Sequence, residues 1–100
     1  MRKVWGYLVA ELGGKPYSER RFGKWIYREF NPSTINAKDL VWHRDKNSRF
    51  VIVLSRSNWL FQFDNQLPES LSFLKTIKIP SGTYHRVIPG GKKLKLLIKE

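Results

Sequence analysis

His43 and Asp45 stand two apart in the stretch VWHRDKNSRF, residues 41–50. In an extended chain residues i and i+2 project from the same face, so an imidazole and a carboxylate would stand side by side. That is the placement of two ligands of a metal site. It is equally the placement of polar residues finishing a strand, where both types are common. The chain holds one further histidine, His85, and no cysteine. Disulfides, zinc ribbons and thiol chemistry are therefore excluded.

The elements that must position these residues read as short β-runs separated by turn signals, with no long amphipathic helix. The runs are KVWGYLVAEL (3–12), GKWIYREF (23–30), DLVWHRD (39–45), RFVIVL (49–54), WLFQFDN (59–65), FLKTIKI (73–79), YHRVI (84–88) and KKLKLLIK (92–99). Gly13-Gly14, SRSN (55–58), Pro80-Ser81-Gly82 and Gly90-Gly91 supply turns, SRSN as a hairpin, and QLPES (66–70) reads as loop. The nearly continuous apolar character of RFVIVL predicts burial on both faces. In GKWIYREF, Trp25, Tyr27 and Glu29 alternate with Ile26, Arg28 and Phe30. About eight short strands with tight turns predict an all-β, single-domain barrel or sandwich over residues 1–100. Every second side chain of such a strand faces the interior, where an unpaired polar group is costly. His43, Asp45 and His85 are the polar residues this makes suspect. The aromatics at strand spacing, among them Trp5, Tyr7, Trp25, Tyr27, Trp42, Trp59, Phe61 and Phe63, are expected in the core or an interface. They would form a stacking platform for bases wherever several lie exposed beside basic residues.

The stretch IPSGTYH, residues 79–85, resembles the second motif of the cupin superfamily, Pro-x-Gly-x-x-His after an apolar strand. Pro80 cannot donate to a ladder and ends the strand. Gly82 admits a conformation other residues resist, and the chain re-enters a strand at His85. The first cupin motif, roughly His-x-His, a few residues, Glu, then a strand and a Gly turn, resembles HRDKNSRFVIVLSRSNWLFQF, residues 43–63. His43 and Asp45 take its first two positions. Arg49 falls about where the Glu would be, and Arg56 or Ser57 replaces the turn glycine. The resemblance spans about residues 38–99. Around WHRD, FQFDN and IPSGTYHRVIPG the chain is also similar to short uncharacterised cupins of tailed bacteriophages.

The resemblance implies a cupin-type jelly-roll barrel with His43, Asp45 and His85 as metal ligands. Two imidazoles and one carboxylate on one face of a metal suit Fe(II) in oxygenases, and Mn, Ni or Zn accept the same set. Arg49 cannot be a ligand. It would hold an anionic substrate beside the metal in a catalytic role, or pair with Asp45 in a site that has lost its metal. The ligand order also resembles 2-oxoglutarate oxygenases, in which a basic residue about ten positions beyond the distal His holds the cosubstrate's far carboxylate. Lys95 has that spacing, although Leu94, Leu96 and Ile98 as an inward face would turn it outward. Arg49 and Arg86 are the other candidates for binding substrate. Cupins often dimerise, so the resemblance implies a homodimer.

Nineteen Lys and Arg against eight acids give a net charge of +11. That excess favours polyanionic partners, from phosphorylated small molecules to nucleic acid. The charges are scattered, and no apolar run approaches the roughly 18 residues of a membrane span. Glu11 interrupts the N-terminal apolar stretch, which argues against a signal peptide, and the absence of cysteine fits a cytoplasmic protein, in a host cell if phage-encoded. Three functions compete: a metal-binding cupin of the Fe(II) dioxygenase type acting on an anionic small molecule; a basic, non-enzymatic module of the phage-effector type that holds a nucleotide or nucleic acid around a vestigial site; and a metal-free sugar-nucleotide isomerase or epimerase.

Overall fold

The computed structural model describes residues 17–33 and 40–100, so the expected run at 3–12 lies outside the described residues. Eight strands follow in chain order: β1 (Ser18–Phe22), β2 (Trp25–Phe30), β3 (Arg49–Val53), β4 (Leu60–Phe63), β5 (Glu69–Ser70), β6 (Thr76–Ile79), β7 (His85–Ile88) and β8 (Leu94–Lys99). They form two antiparallel sheets, one of five strands in the order β1-β2-β8-β3-β6 and one of three in the order β5-β4-β7. Among the described residues no helix is long and apolar enough to cross a membrane.

Period-two alternation decides which face each strand buries. On β2 the inward residues are Ile26, Arg28 and Phe30, and on β8 they are Leu94, Leu96 and Ile98. The register pairs them directly: Ile26 with Ile98, Arg28 with Leu96, Phe30 with Leu94. The smaller sheet adds Phe61 and Val87, and the loops add Leu40, Trp59 and Leu71, to one contiguous core. Phe30 and Trp59, both fully buried, meet at 5.3 Å between ring centroids. The Trp59 indole N–H, which must find an acceptor when buried, donates to the Lys92 carbonyl.

The structure departs from the sequence expectations at five places. Ser18–Phe22 is a strand although it shows no apolar alternation, because a two-residue turn at Gly23-Lys24 folds it onto β2 in the register Phe22↔Trp25. Within residues 40–45 the expected third strand reduces to a single bridge, His43 to His85. SRSN is no hairpin: β3 and β4 lie in different sheets, and these residues cross between them. Glu69–Ser70, expected as loop, pairs with Leu60 and Phe61. On β3 only Val51 and Val53 are fully buried, while Phe50 and Ile52 are half-buried on the outer face.

Side chains pin the crossing at 55–58 to the β7–β8 connection: Ser55 Oγ donates to the Lys93 carbonyl at 3.3 Å. Asn58 Oδ1 accepts hydrogen bonds from the backbone N–H groups of Gly91 (2.8 Å) and Lys92 (3.2 Å). Gly90 packs so closely on Asn58 that a Cβ there would overlap the Asn58 side-chain oxygen and its backbone carbonyl. Gly90→Ala is therefore expected to destabilise the fold by about 1–3 kcal/mol, the usual range for overpacking. Urea unfolding should show a lower midpoint with an unchanged slope, whereas an unmoved midpoint would show that this turn gives way without cost.

Candidate metal centre

The centre is assembled where the loop carrying His43 and Asp45 meets the start of β7 at one antiparallel bridge. His43 donates its backbone N–H to the His85 carbonyl (3.0 Å), and His85 returns the bond to His43 (2.9 Å). Directly opposed residues of an antiparallel pair project to the same face. Both imidazoles therefore enter the interior, with ring centroids 4.2 Å apart. The turn before β7 secures this approach. Thr83 N–H bonds to the Pro80 carbonyl (3.3 Å), Gly82 takes φ +76° at the third position as a type II turn requires, and its N–H donates to the Asp45 carbonyl (2.8 Å). The glycine of the second motif thus ties the strand entry to the loop that carries Asp45.

His43, Asp45 and His85 are all buried, and each offers a ligand atom within 4.8 Å of the other two. The tautomers follow from the acceptors. His43 Nδ1 lies 3.0 Å from the Val41 carbonyl and His85 Nδ1 lies 2.8 Å from the Thr83 carbonyl. A carbonyl only accepts, so both Nδ1 atoms carry the proton and both Nε2 atoms present a lone pair. This is the outer-shell arrangement that orients histidine ligands in metal sites. His85 Nε2 is 3.5 Å from Asp45 Oδ2. That oxygen is buried and makes no hydrogen bond among the described residues. An oriented pair of imidazole lone pairs facing an unsatisfied carboxylate oxygen fits a divalent cation.

The cavity around them measures about 30 Å³, roughly the volume of one water molecule. Its walls are Val51, Phe61, Leu71, Ile77, Ile79 and Val87 with Leu96 and Ile98, and the Phe61 ring stacks on His85 at 5.6 Å. Two cations share this lining, Arg28 and Arg49. The register Phe50↔Lys99 brings Arg49 opposite Glu100, and Arg49 Nη2 lies 2.7 Å from its carboxylate. Arg49 Nη1 is 3.7 Å from Asp45 Oδ2, so this residue stands at the cluster as its position after the first motif suggested.

Arg28 was not anticipated as part of the site. Its signal was present, a charged residue in phase with the apolar Ile26 and Phe30. It is the cross-strand partner of Glu19, bonded at 2.6 Å, and its guanidinium covers the Tyr17 ring at 4.2 Å. Burial pushes the Glu19 carboxyl up, but the bonds and charges of Arg28 and Arg21 together outweigh it and leave the group below its usual value.

The structure does not bring the other two candidates to the cluster. Lys95 lies on the outer face of β8, because Leu94, Leu96 and Ile98 take the inner one. Arg86 is next to His85 and so projects oppositely: it stacks over the Trp42 ring at 4.6 Å and donates to Gln62 Oε1 at 3.0 Å.

Burial lowers the pKa of His43 from 6.5 to about 3, with the neighbouring His85 acting in the same direction. Burial also lowers His85, although the Thr83 carbonyl and Asp45 oppose it. Both rings are then neutral at pH 7, as ligation requires. A depressed histidine pKa means that the unfolded chain takes up a proton before the folded one does. Stability is therefore complete above pH 6.5 and declines as the pH falls towards 3. For His43 alone the loss between pH 7.5 and pH 5 is about 2 kcal/mol, and His85 adds to it. Urea titrations of metal-free protein at the two pH values would read this, and equal stability at both would mean that the rings protonate inside the fold.

The sequence matches no protein-family model and no curated protein sequence. Solved structures do match, all at low identity. A cupin-2 domain containing protein from Shewanella frigidimarina superposes with a TM-score of 0.61 at 18% identity, covering 94% of this chain and 89% of its own. A chain from the crystal structures of the DMSP lyases RdDddP and RnDddQII gives 0.62 at 18% identity over 74% of this chain, which spans only 35% of the lyase chain's length. The FeII form of HppE in complex with substrate gives 0.57 at 14% identity, over 82% of this chain and 51% of its own. The two antiparallel sheets, the bridge that joins His43 to β7 and these superpositions lead to one conclusion: the chain has the cupin jelly-roll fold.

Proposed function

We propose that the chain is a metal-dependent cupin enzyme of the Fe(II) oxygenase type that acts on a small anionic molecule. The observation that carries the reading is the orientation of the cluster: both Nδ1 atoms are tied to backbone carbonyls, which commits both Nε2 atoms to the Asp45 side of the cavity. Three such ligands on one face suit Fe(II), and the bound metal would supply open coordination positions and one-electron chemistry. HppE, which shares the fold, is described in an FeII form with its substrate, and the DMSP lyases show that the same fold also carries lyase chemistry.

The protein's own groups would bind and orient the substrate. Arg49 Nε is buried and makes no hydrogen bond among the described residues, so a donor remains for an anion. Arg49 also lines an outer cleft of about 390 Å³ together with Lys78, Lys99 and Glu100, where three cations against one carboxylate would favour an anion. The inner cavity, at about 30 Å³, limits what reaches the metal to a small group. Its apolar walls keep bulk water from the ligands. With Lys95 on the outer face, a cosubstrate of the 2-oxoglutarate type would have to rely on Arg49. A second reading is favoured by the 3.7 Å approach of Arg49 to Asp45: a metal-free site in which the two residues form a structural ion pair.

Metal analysis of the purified chain, followed by anaerobic Fe(II) titration, separates the two. Near-stoichiometric metal in the wild type and its loss in His85→Ala are expected. If Fe, Mn, Ni and Zn all fail to bind or to raise the melting temperature, the metal-centre reading is sunk.

Arg49→Met gives an independent discrimination. Removing a cation beside a ligand oxygen should tighten metal binding by roughly tenfold. If the pair is structural instead, the same change strands a buried carboxylate and lowers stability by about 3–5 kcal/mol without any metal effect.

A further inference from the structure

The bridge that turns His43 and His85 inward turns their neighbours outward. Around an antiparallel pair 43↔85, Trp42 falls opposite Arg86 and Arg44 opposite Tyr84. The side chains follow that register. The Arg86 guanidinium lies 4.6 Å from the Trp42 ring centroid and the Arg44 guanidinium 5.2 Å from that of Tyr84. β4 extends the face: Gln62 pairs with Arg86, and the Asp64 N–H donates to the Tyr84 carbonyl at 3.0 Å. The outer surface therefore carries two rows, Trp42–Arg86–Gln62 and Arg44–Tyr84–Asp64. Trp42 and Tyr84 sit on the diagonal, separated by roughly 7–8 Å of backbone spacing.

These rings are not core. Trp42 is 40% and Tyr84 43% exposed, and together with Asp64 they line a recess of about 250 Å³. That is below the roughly 300 Å³ at which pockets begin to hold drug-sized ligands, and it suits a single planar ring. Asp64 supplies an acceptor for the amino or imino edge of such a ring. A cationic ligand is disfavoured by Arg44 and Arg86 beside the recess and by the net charge of +11. A ligand carrying both rings and negative charge matches every group on the face. In a duplex the ring faces are already stacked and cannot enter the recess, whereas a single strand offers them.

We propose that this outer face binds single-stranded nucleic acid, with one base stacked in the recess between Trp42 and Tyr84 and the neighbouring phosphates held by Arg44 and Arg86. The site is separate from the metal centre and does not require it.

Fluorescence anisotropy of a labelled single-stranded DNA of about twelve nucleotides, a length that covers a typical single-strand site, tests this with the full chain. Binding is expected to weaken steeply between about 50 mM and about 200 mM salt. Trp42→Ala and Tyr84→Ala should each reduce affinity by roughly fivefold to a hundredfold, the range for losing one stacking partner. Tyr84→Phe, which keeps the ring, should stay within about twofold of wild type. Arg44→Gln should weaken binding and flatten the salt dependence, which keeps the test informative if an alanine variant folds poorly. A chelator should change none of these values. Absence of binding, equal affinity for the matching duplex, wild-type affinity in both alanine variants, or a mononucleotide that binds as tightly as the oligomer would each overturn the proposal.

Discussion

The functional architecture depends on one pair of backbone hydrogen bonds. Residues 40–45 hold no regular strand, and among the described residues the reciprocal bonds between His43 and His85 are what attach their backbone to β7. Because opposed residues share a face, that attachment sends two imidazoles into the barrel. Because their neighbours take the other face, it also places Trp42, Arg44, Tyr84 and Arg86 outside. A slip of residues 40–45 by one position against β7 would turn His43 outward and aim Trp42 and Arg44 at a cavity the size of one water. The turn at Pro80–Thr83, fastened to Asp45 through the Gly82 N–H, is what prevents such a slip.

Around the interior runs a chain of alternating charge. Asp45 faces Arg49, Arg49 bonds Glu100, Glu100 approaches Arg21 at 3.6 Å, and Arg21 bonds Glu19 at 2.9 Å. Glu19 closes on Arg28, which lines the same cavity as Arg49. The two closest contacts join cross-strand neighbours, Glu19 with Arg28 and Arg49 with Glu100, so sheet register alone brings the ions together. This gives β1 a reason to exist. The strand SERRF contributes little to the apolar core, but it delivers Glu19 to the buried Arg28 guanidinium at 2.6 Å.

Much of this was legible in the sequence, and the limits of what was legible have physical causes. The β2 and β8 faces followed from strict alternation, and His43, Asp45 and His85 from their motif spacing. Arg28 was overlooked because its inward phase conflicts with its charge, a conflict that Glu19, nine residues earlier, helps to resolve. β1 has no apolar period, since the positions that share the face of Ile26 and Arg28 are Glu19 and the exposed Arg21. SRSN misled because turn residues mark a change of direction without saying whether the next strand pairs with the last or crosses to another sheet. The crossing is decided by Asn58, which reaches the backbone of residues more than thirty positions away.

The two fates open to Asp45 are not equally well supported by the physics of buried charge. A buried ion pair holds its own against the cost of desolvation only with close, hydrogen-bonded geometry. Arg28 and Glu19 meet that condition at 2.6 Å, as do Arg49 and Glu100 at 2.7 Å. Arg49 and Asp45, at 3.7 Å, do not, and Asp45 Oδ2 makes no hydrogen bond among the described residues. Arg49 already has its strong partner in Glu100, so the weaker approach to Asp45 lowers the local potential without satisfying the carboxylate. His85 cannot satisfy it either, because its proton is committed to the Thr83 carbonyl on the other nitrogen. A buried carboxylate oxygen left in this state, facing two imidazole lone pairs, is better matched by a cation between them than by any side chain in reach among the described residues.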